Sequence, residues 1–246
     1  MKRCYWPGLL LVLLPWLASG QEELEPDYQA GEWADLMVAP PAAQSTLDIS
    51  EVILSRADWL AEIGRQADAA LAAGDWARAE YRLAQGLSEY PDDDATRLRL
   101  ASLQFGRGAL DQARIQLQQG LELNPQQADM RLALARLLAE QQRYDAAWRV
   151  LDESQPPLPM HLDYYSLKAD MARRSGQCEQ AAETYRLLLA ESRVGAWWLG
   201  LGLCQRQLDE DFVWAFQQAR ASADLGMASQ RFVEQQLEQY GTAQTH

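Results

Sequence analysis

Two histidines, four phenylalanines and three cysteines in 246 residues leave little material for a catalytic or metal-binding centre. His161 and the terminal His246 stand apart, and neither pairs with a cysteine at zinc-ligand spacing. A nucleophile that relies on histidine therefore lacks its base. Gly200-Leu201-Gly202 lacks the third glycine and the preceding strand of a dinucleotide loop, and reads instead as close helix packing. The inventory points away from an enzyme, a cofactor or a metal. Lysine is almost missing as well, with only Lys2 and Lys168, and 35 acidic residues outnumber 22 basic ones for a formal charge of −13. A nucleic-acid partner needs a basic footprint and is disfavoured. Alternating two-residue patterns of useful length are also missing, which argues against sheet.

The apolar run Leu9–Leu17 follows Lys2 and Arg3 and precedes the small residues Ala18-Ser19-Gly20. This is the order of a secretory leader, residues 1–20, with the mature chain starting at Gln21. The run is interrupted by Pro15 and is too short for a span of about 20 residues, so cleavage is favoured over an uncleaved anchor facing the periplasm. Gln21, where a lipoprotein carries cysteine, excludes lipid attachment at that point. Loss of Lys2 and Arg3 moves the charge from −13 to −15. The expected location is periplasmic or secreted. Residues 21–46 hold six acidic residues and no basic one, with Pro40-Pro41 near the end, and read as an acidic linker. A linear motif around Tyr28, Trp33, Leu36 and Met37 is the sharper alternative for that stretch. Asp48 with Glu51 forms a capping-box pattern that opens a helix through Trp59.

From there to about residue 240 the chain repeats every 34 residues. Proline recurs at Pro91, Pro125 and Pro159, and alanine at Ala67, Ala101, Ala135 and Ala169 and again at Ala79, Ala113, Ala147 and Ala181. Glycine recurs at Gly74, Gly108 and Gly176, with Gln142 breaking the series, and a bulky residue at Leu83, Leu117, Leu151 and Tyr185. Two helices crossing at about 8–10 Å need a small side chain on each at the crossing. Glycine suits the turn between them, and proline ends the second. This pattern resembles the tetratricopeptide repeat, and it implies an all-α superhelical solenoid of antiparallel helix pairs. The TPR domain runs over 47–240, with units at about 60–93, 94–127, 128–161 and 162–195, a degenerate unit at 196–227, and a capping helix at 228–240 carrying Phe232, Val233 and Leu237 on one face. Gly86 and Gly120 replace alanine in the second helix, which implies close approach of the following repeat. Trp76, Tyr144 and Trp148 read as packing between helices.

The resemblance also places the inner face of the array. It takes in Arg65, Asp68, Leu98, Arg99, Ser102, Phe105, Asp129, Leu132, Arg136, Glu140, Asp163, Asp170, Arg173 and Arg174. The lysine and asparagine set that clamps a terminal carboxylate in chaperone-binding relatives is missing. What remains is an apolar strip, Leu98, Phe105 and Leu132, flanked by Arg99 and Arg136. These five are the candidate binding residues for a protein or peptide partner with an acidic side. The alternative is that the arginines only balance nearby acids.

A narrower similarity covers about residues 129–240. Pro156-Pro157, Asp163-Tyr164-Tyr165, Trp197-Trp198-Leu199-Gly200-Leu201-Gly202 and Arg231-Phe232-Val233-Glu234-Gln235-Gln236-Leu237 resemble the TPR proteins of MSHA-type (type IV) pilus biogenesis, the MshN group. That resemblance implies a scaffold in pilus or envelope assembly. A periplasmic adaptor for polysaccharide secretion or outer-membrane maintenance is the alternative. After export two cysteines remain, Cys178 and Cys204. An oxidising compartment and an even count favour a disulfide. A 15-residue against 11-residue offset from a turn near Arg193 gives an axial mismatch of about 6 Å, which opposes it. Bridge and buried thiols both stay open.

Overall fold

The computed structural model describes residues 54–243; the leader, the acidic segment and the Asp48–Glu51 box lie outside the described residues. Every regular element described is helical. The helices are α1 Arg56–Ala72, α2 Trp76–Glu89, α3 Asp94–Gly106, α4 Leu110–Leu123, α5 Ala128–Glu140, α6 Tyr144–Asp152, α7 Leu162–Arg174, α8 Cys178–Glu191, α9 Gly195–Gln207, α10 Val213–Ala221 and α11 Met227–Ala243, with a 3-10 turn at Leu158–Met160. Consecutive helices pack as hairpins, and each second helix packs in turn on the first helix of the next pair. The first helices of later pairs also touch directly, α3 with α5, α5 with α7 and α7 with α9. The result is an all-α solenoid without a central core.

The helix expected to run from Asp48 through Trp59 does not end there. Ser55 caps α1, accepting from Asp58 N at 3.2 Å, so Trp59 lies inside the first helix of the first pair. The Ser55–Asp58 spacing is itself a capping pattern, and it starts the helix four residues before the repeat frame does. Asp75 and Asp93 cap α2 and α3 in the same way, each at 2.9 Å.

The eight recurrent alanines are at most 2% exposed. They allow the paired helices to approach while Leu83, Leu117, Leu151 and Leu188 bury their side chains, each contributing roughly 1.5–3 kcal/mol. Gly74, Gly108 and Gly176 take positive φ in the turns. Gln142 and Asp209, where glycine is missing, take the same left-handed conformation at φ 59 and 58. The turn closes identically at Gln142, with Gln142 N bonded to Ala139 O and Arg143 N to Leu138 O, both at 2.9 Å. Backbone geometry thus persists where its preferred residue does not.

An unanticipated device holds successive pairs together. Arg97 and Arg131, 34 residues apart, are both 5% exposed. Arg97 donates to Pro91 O at 2.7 Å and to Gln116 and Gln119, while Arg131 donates to Pro125 O at 2.8 Å, to Val150 O and to Glu153. Tyr165 occupies the next equivalent position and its hydroxyl donates to Pro156 O at 2.7 Å. Each side chain reaches back to the carbonyl of the preceding inter-repeat loop, satisfying a group that helix ends leave open. The third loop differs from the others because α6 stops after nine residues at Asp152, ahead of Pro156 and Pro157. Tyr164 then donates to Leu151 O at 2.8 Å and seals the shortened end.

Helix α11 covers the last pair. Val233 is fully buried, and Phe232 and Leu237 pack against the same cluster as Phe216 and Ala219. Helix glycines allow tight crossings: a Cβ on Gly200 would collide with the Tyr185 ring, and one on Gly202 with Phe216. At Gly120 it would collide with Met130 Sδ and lie 2.6 Å from Arg97 Cδ. Gly120→Ala should therefore destabilise by about 1–2 kcal/mol in urea unfolding, because overpacking exceeds the gain in helix propensity of about 1 kcal/mol. A stabilised variant would show that α4 and α5 are not held this close.

Candidate protein-binding groove

The first helices α1, α3, α5, α7 and α9 line one face, and three crevices open along it at equivalent repeat positions. The first, about 460 Å³, lies among α1, α2 and α3, and includes Asp68, Leu71, Trp76, Leu83, Leu98 and Arg99. The second, about 240 Å³, lies among α3, α4 and α5, and includes Ser102, Phe105, Leu117, Ala133 and Arg136. The third, about 400 Å³, lies among α7, α8 and α9, and includes Asp163, Ser166, Asp170, Tyr185 and Trp197. Asp68, Ser102 and Asp170 share one repeat position, and Leu83, Leu117 and Tyr185 share another. A crevice therefore forms where the floor residue of a second helix meets two first helices that diverge toward solvent.

Of the five candidate residues, Leu98 is half-buried beside the first crevice and Phe105 is 40% exposed at the rim of the second. Leu132 corrects the expectation. It is 7% exposed and sits in the core with Leu134 and Leu138, because the direct packing of α5 on α3 and α7 takes up that face of the helix. The continuous apolar strip is thus replaced by separate crevices with Ala133, one residue further, facing the second.

The arginines do not stand free. Arg99 pairs with Asp68 of the preceding first helix, and Arg136 Nη2 pairs with Asp163 Oδ2 of the following one at 2.9 Å. Both pairs are about half exposed, so each contributes about 0–1 kcal/mol and an incoming carboxylate can displace the internal one at little cost. Asp170 is held more firmly, accepting from Arg173 and from Arg174 Nε at 2.8 Å. Arg65 pairs with Glu62 on its own helix.

In the third crevice Trp197 Nε1 donates to Ser166 Oγ at 2.9 Å, a contact that no spacing in the sequence indicated. Burial pushes the Tyr185 phenol well above its ordinary range, leaving it a neutral hydroxyl on the crevice wall. Trp76 is a second correction: it is 46% exposed at the edge of the first crevice, opposite Gly106, and is not enclosed between helices. Its neighbour on the following helix is Gly106, which has no side chain to cover it, whereas the equivalent Tyr144 faces Arg174. Trp148 is half-buried between two core clusters, and Tyr144 lies under the Arg174 guanidinium at 5.2 Å.

Among the described residues no three His, Cys, Asp or Glu side chains gather as metal ligands, and His161 Nδ1 lies 3.0 Å from Pro157 O. No described helix is long and apolar enough to cross a membrane. The surface offers pockets, hydrogen-bonding groups and exchangeable ion pairs for another protein.

The family model of the tetratricopeptide repeat matches residues 70–128 and 116–171. Residues 70–171 of the helical solenoid thus match tetratricopeptide repeats. Solved structures with this arrangement include MamA 41-end from Desulfovibrio magneticus RS-1, at 16% identity and a TM-score of 0.57, covering 71% of this chain and 97% of that one. Another structure of MamA protein has 18% identity and a TM-score of 0.55, covering 66% of this chain and 91% of that one. At such identities the likeness is one of fold. No curated protein matches the sequence. The matched repeats support a protein–protein interaction scaffold, and the crevices lie on the first-helix face.

Core and rim residues separate by substitution. Leu132→Ala should cost about 2–4 kcal/mol in urea unfolding, whereas Phe105→Ala should change stability by less than about 1 kcal/mol. Equal losses at the two positions would contradict the burial described.

Proposed function

We propose that the protein is an exported scaffold that holds a segment of a partner during type IV, MSHA-like pilus biogenesis or related envelope assembly. The observation that carries the binding role is the row of crevices at equivalent repeat positions. Directly packed first helices lie about 8–10 Å apart, which is roughly three residues of an extended peptide at about 3.3 Å per residue. An extended partner segment with apolar side chains seated in the crevices, and a carboxylate exchanging onto Arg99 or Arg136, matches this surface. The pilus assignment rests on the similarity of Trp197–Gly202 and Arg231–Leu237 to the MshN group, and the export assignment on the leader-like residues 1–20.

Loss of the gene in its native host should abolish assembled surface pili. Complementation by a variant carrying Arg99→Glu and Arg136→Glu should fail while its helicity matches the wild type. Each substitution removes a charge-assisted contact worth roughly 1.5–3 kcal/mol when buried against an acid. Normal piliation with a defect in surface polysaccharide would replace the pilus role with that of a secretion adaptor, and full rescue by the double variant would move the binding site elsewhere.

Export has its own readout. Chain recovered from the periplasm of a Gram-negative host should begin at Gln21 by intact-mass analysis. Full-length chain in the inner-membrane fraction would replace cleavage with an anchored topology.

A further inference from the structure

We propose that the third crevice is a carboxamide pocket, into which the partner segment places an asparagine or glutamine side chain while its apolar side chains fill the first two crevices. The inference rests on the groove-binding reading above and names what one part of that groove selects.

Two leucine positions of the repeat change together here. Where three earlier units have Leu83, Leu117 and Leu151 the fourth has Tyr185, and where two have Leu98 and Leu132 it has Ser166. Both hydroxyls line the third crevice, whereas Leu83 lines the first and Leu117 the second. Among the described residues neither hydroxyl proton has an acceptor. Ser166 Oγ accepts from Trp197 Nε1 at 2.9 Å, and the polar neighbour of the Tyr185 oxygen is the Arg173 guanidinium, which can only donate. Tyr185 is 3% exposed, and a Cβ on Gly200 would lie 2.6 Å from its oxygen, so the ring is wedged and its hydroxyl is recessed. In the core cluster behind it Cys178 and Cys204 are buried free thiols, with Cys178 donating to Gln207 Oε1 at 3.2 Å. That is the second of the two states the sequence left open, and packing alone holds this wall.

Acceptors stand at the rim. Asp163 pairs with Arg136, and Asp170 with Arg173 and Arg174, and each carboxylate keeps lone pairs beyond those bonds. An incoming cation gains little from acids that three arginines already neutralise. A carboxylate carried inside meets both acids. A carboxamide suits both sets of groups: its oxygen accepts from the recessed hydroxyls, its N–H groups donate to the rim carboxylates, and no charge is desolvated. The main chain of an extended segment runs along the rim, so only a side chain reaches Tyr185.

The test starts from random peptides of about 12 residues, long enough when extended to span all three crevices. They are displayed on phage and selected on the full chain purified from a Gram-negative host. The second and third crevices lie two repeats apart, about 16–20 Å or roughly five to six extended residues. Enriched sequences should carry asparagine or glutamine at that distance from an apolar residue. Replacing the amide residue with leucine should weaken a synthetic peptide at least about tenfold by fluorescence anisotropy, since the hydroxyls are left without an acceptor. On Tyr185→Phe, which removes only the oxygen, the same replacement should cost less than about threefold. The preference measured on the wild type tests the proposal without any variant. A different residue class enriched at that place, or an equal loss on Tyr185→Phe, would overturn it while binding that still depends on Phe105 keeps the groove reading. No enrichment, or binding indifferent to Phe105→Ala as well, would remove the groove reading and this proposal together.

Discussion

Each of the first four helix pairs closes over two alanines, Ala67 with Ala79, Ala101 with Ala113, Ala135 with Ala147 and Ala169 with Ala181, and everything else depends on how close they let the helices come. A larger side chain at any of them would separate the pair by more than a well-packed leucine can bridge, since interiors have little free volume to lose. The same small residues leave the floor leucines free to fill the space toward the next pair. Stability in such an array accumulates from neighbour to neighbour, which is why the end of the described solenoid needs α11 to cover Phe216 and Ala219.

Because the pairs stack in one direction, two kinds of polar interaction acquire opposite roles. Arg97, Arg131 and Tyr165 are directed at carbonyls of the loops between repeats, and the two arginines are buried there, where their donors would be costly to leave unpaired. Arg99 and Arg136 sit on the open face, where the Asp68 and Asp163 pairs are solvated and weak. The first set fixes the spacing of the repeats; the second leaves exchangeable charge beside the crevices. Arginine type alone does not distinguish them, since both occur in first helices and only their phase on the helix differs.

The fold was legible because its determinants are local and repeated. The period, the alanine positions, the turn glycines and the cap residues Phe232, Val233 and Leu237 each follow from helix geometry that recurs every 34 residues. The start of α1 differs from the expected helix through Trp59 because Ser55, four residues before Trp59, caps it with its own side chain. The groove was legible only in part. Leu132 fits the periodicity of an inner-face residue, yet the contact of α5 with both α3 and α7 buries it. Trp76 fits a packing position, yet it lies half exposed at the edge of the first crevice.

The sequence by itself determined that this chain forms paired helices, where the pairs turn and which residues hold each crossing, because those properties depend on side chains within one unit. Only the tertiary structure decided which inner-face positions remain open, and which arginines are buried latches and which are surface charges. These depend on the angle between neighbouring units, which is set by the summed fit of many contacts such as Gly120 under Met130, Gly200 under Tyr185 and Gly202 under Phe216. A shift of a fraction of a helix turn moves a side chain from groove to core, and no single residue encodes that shift.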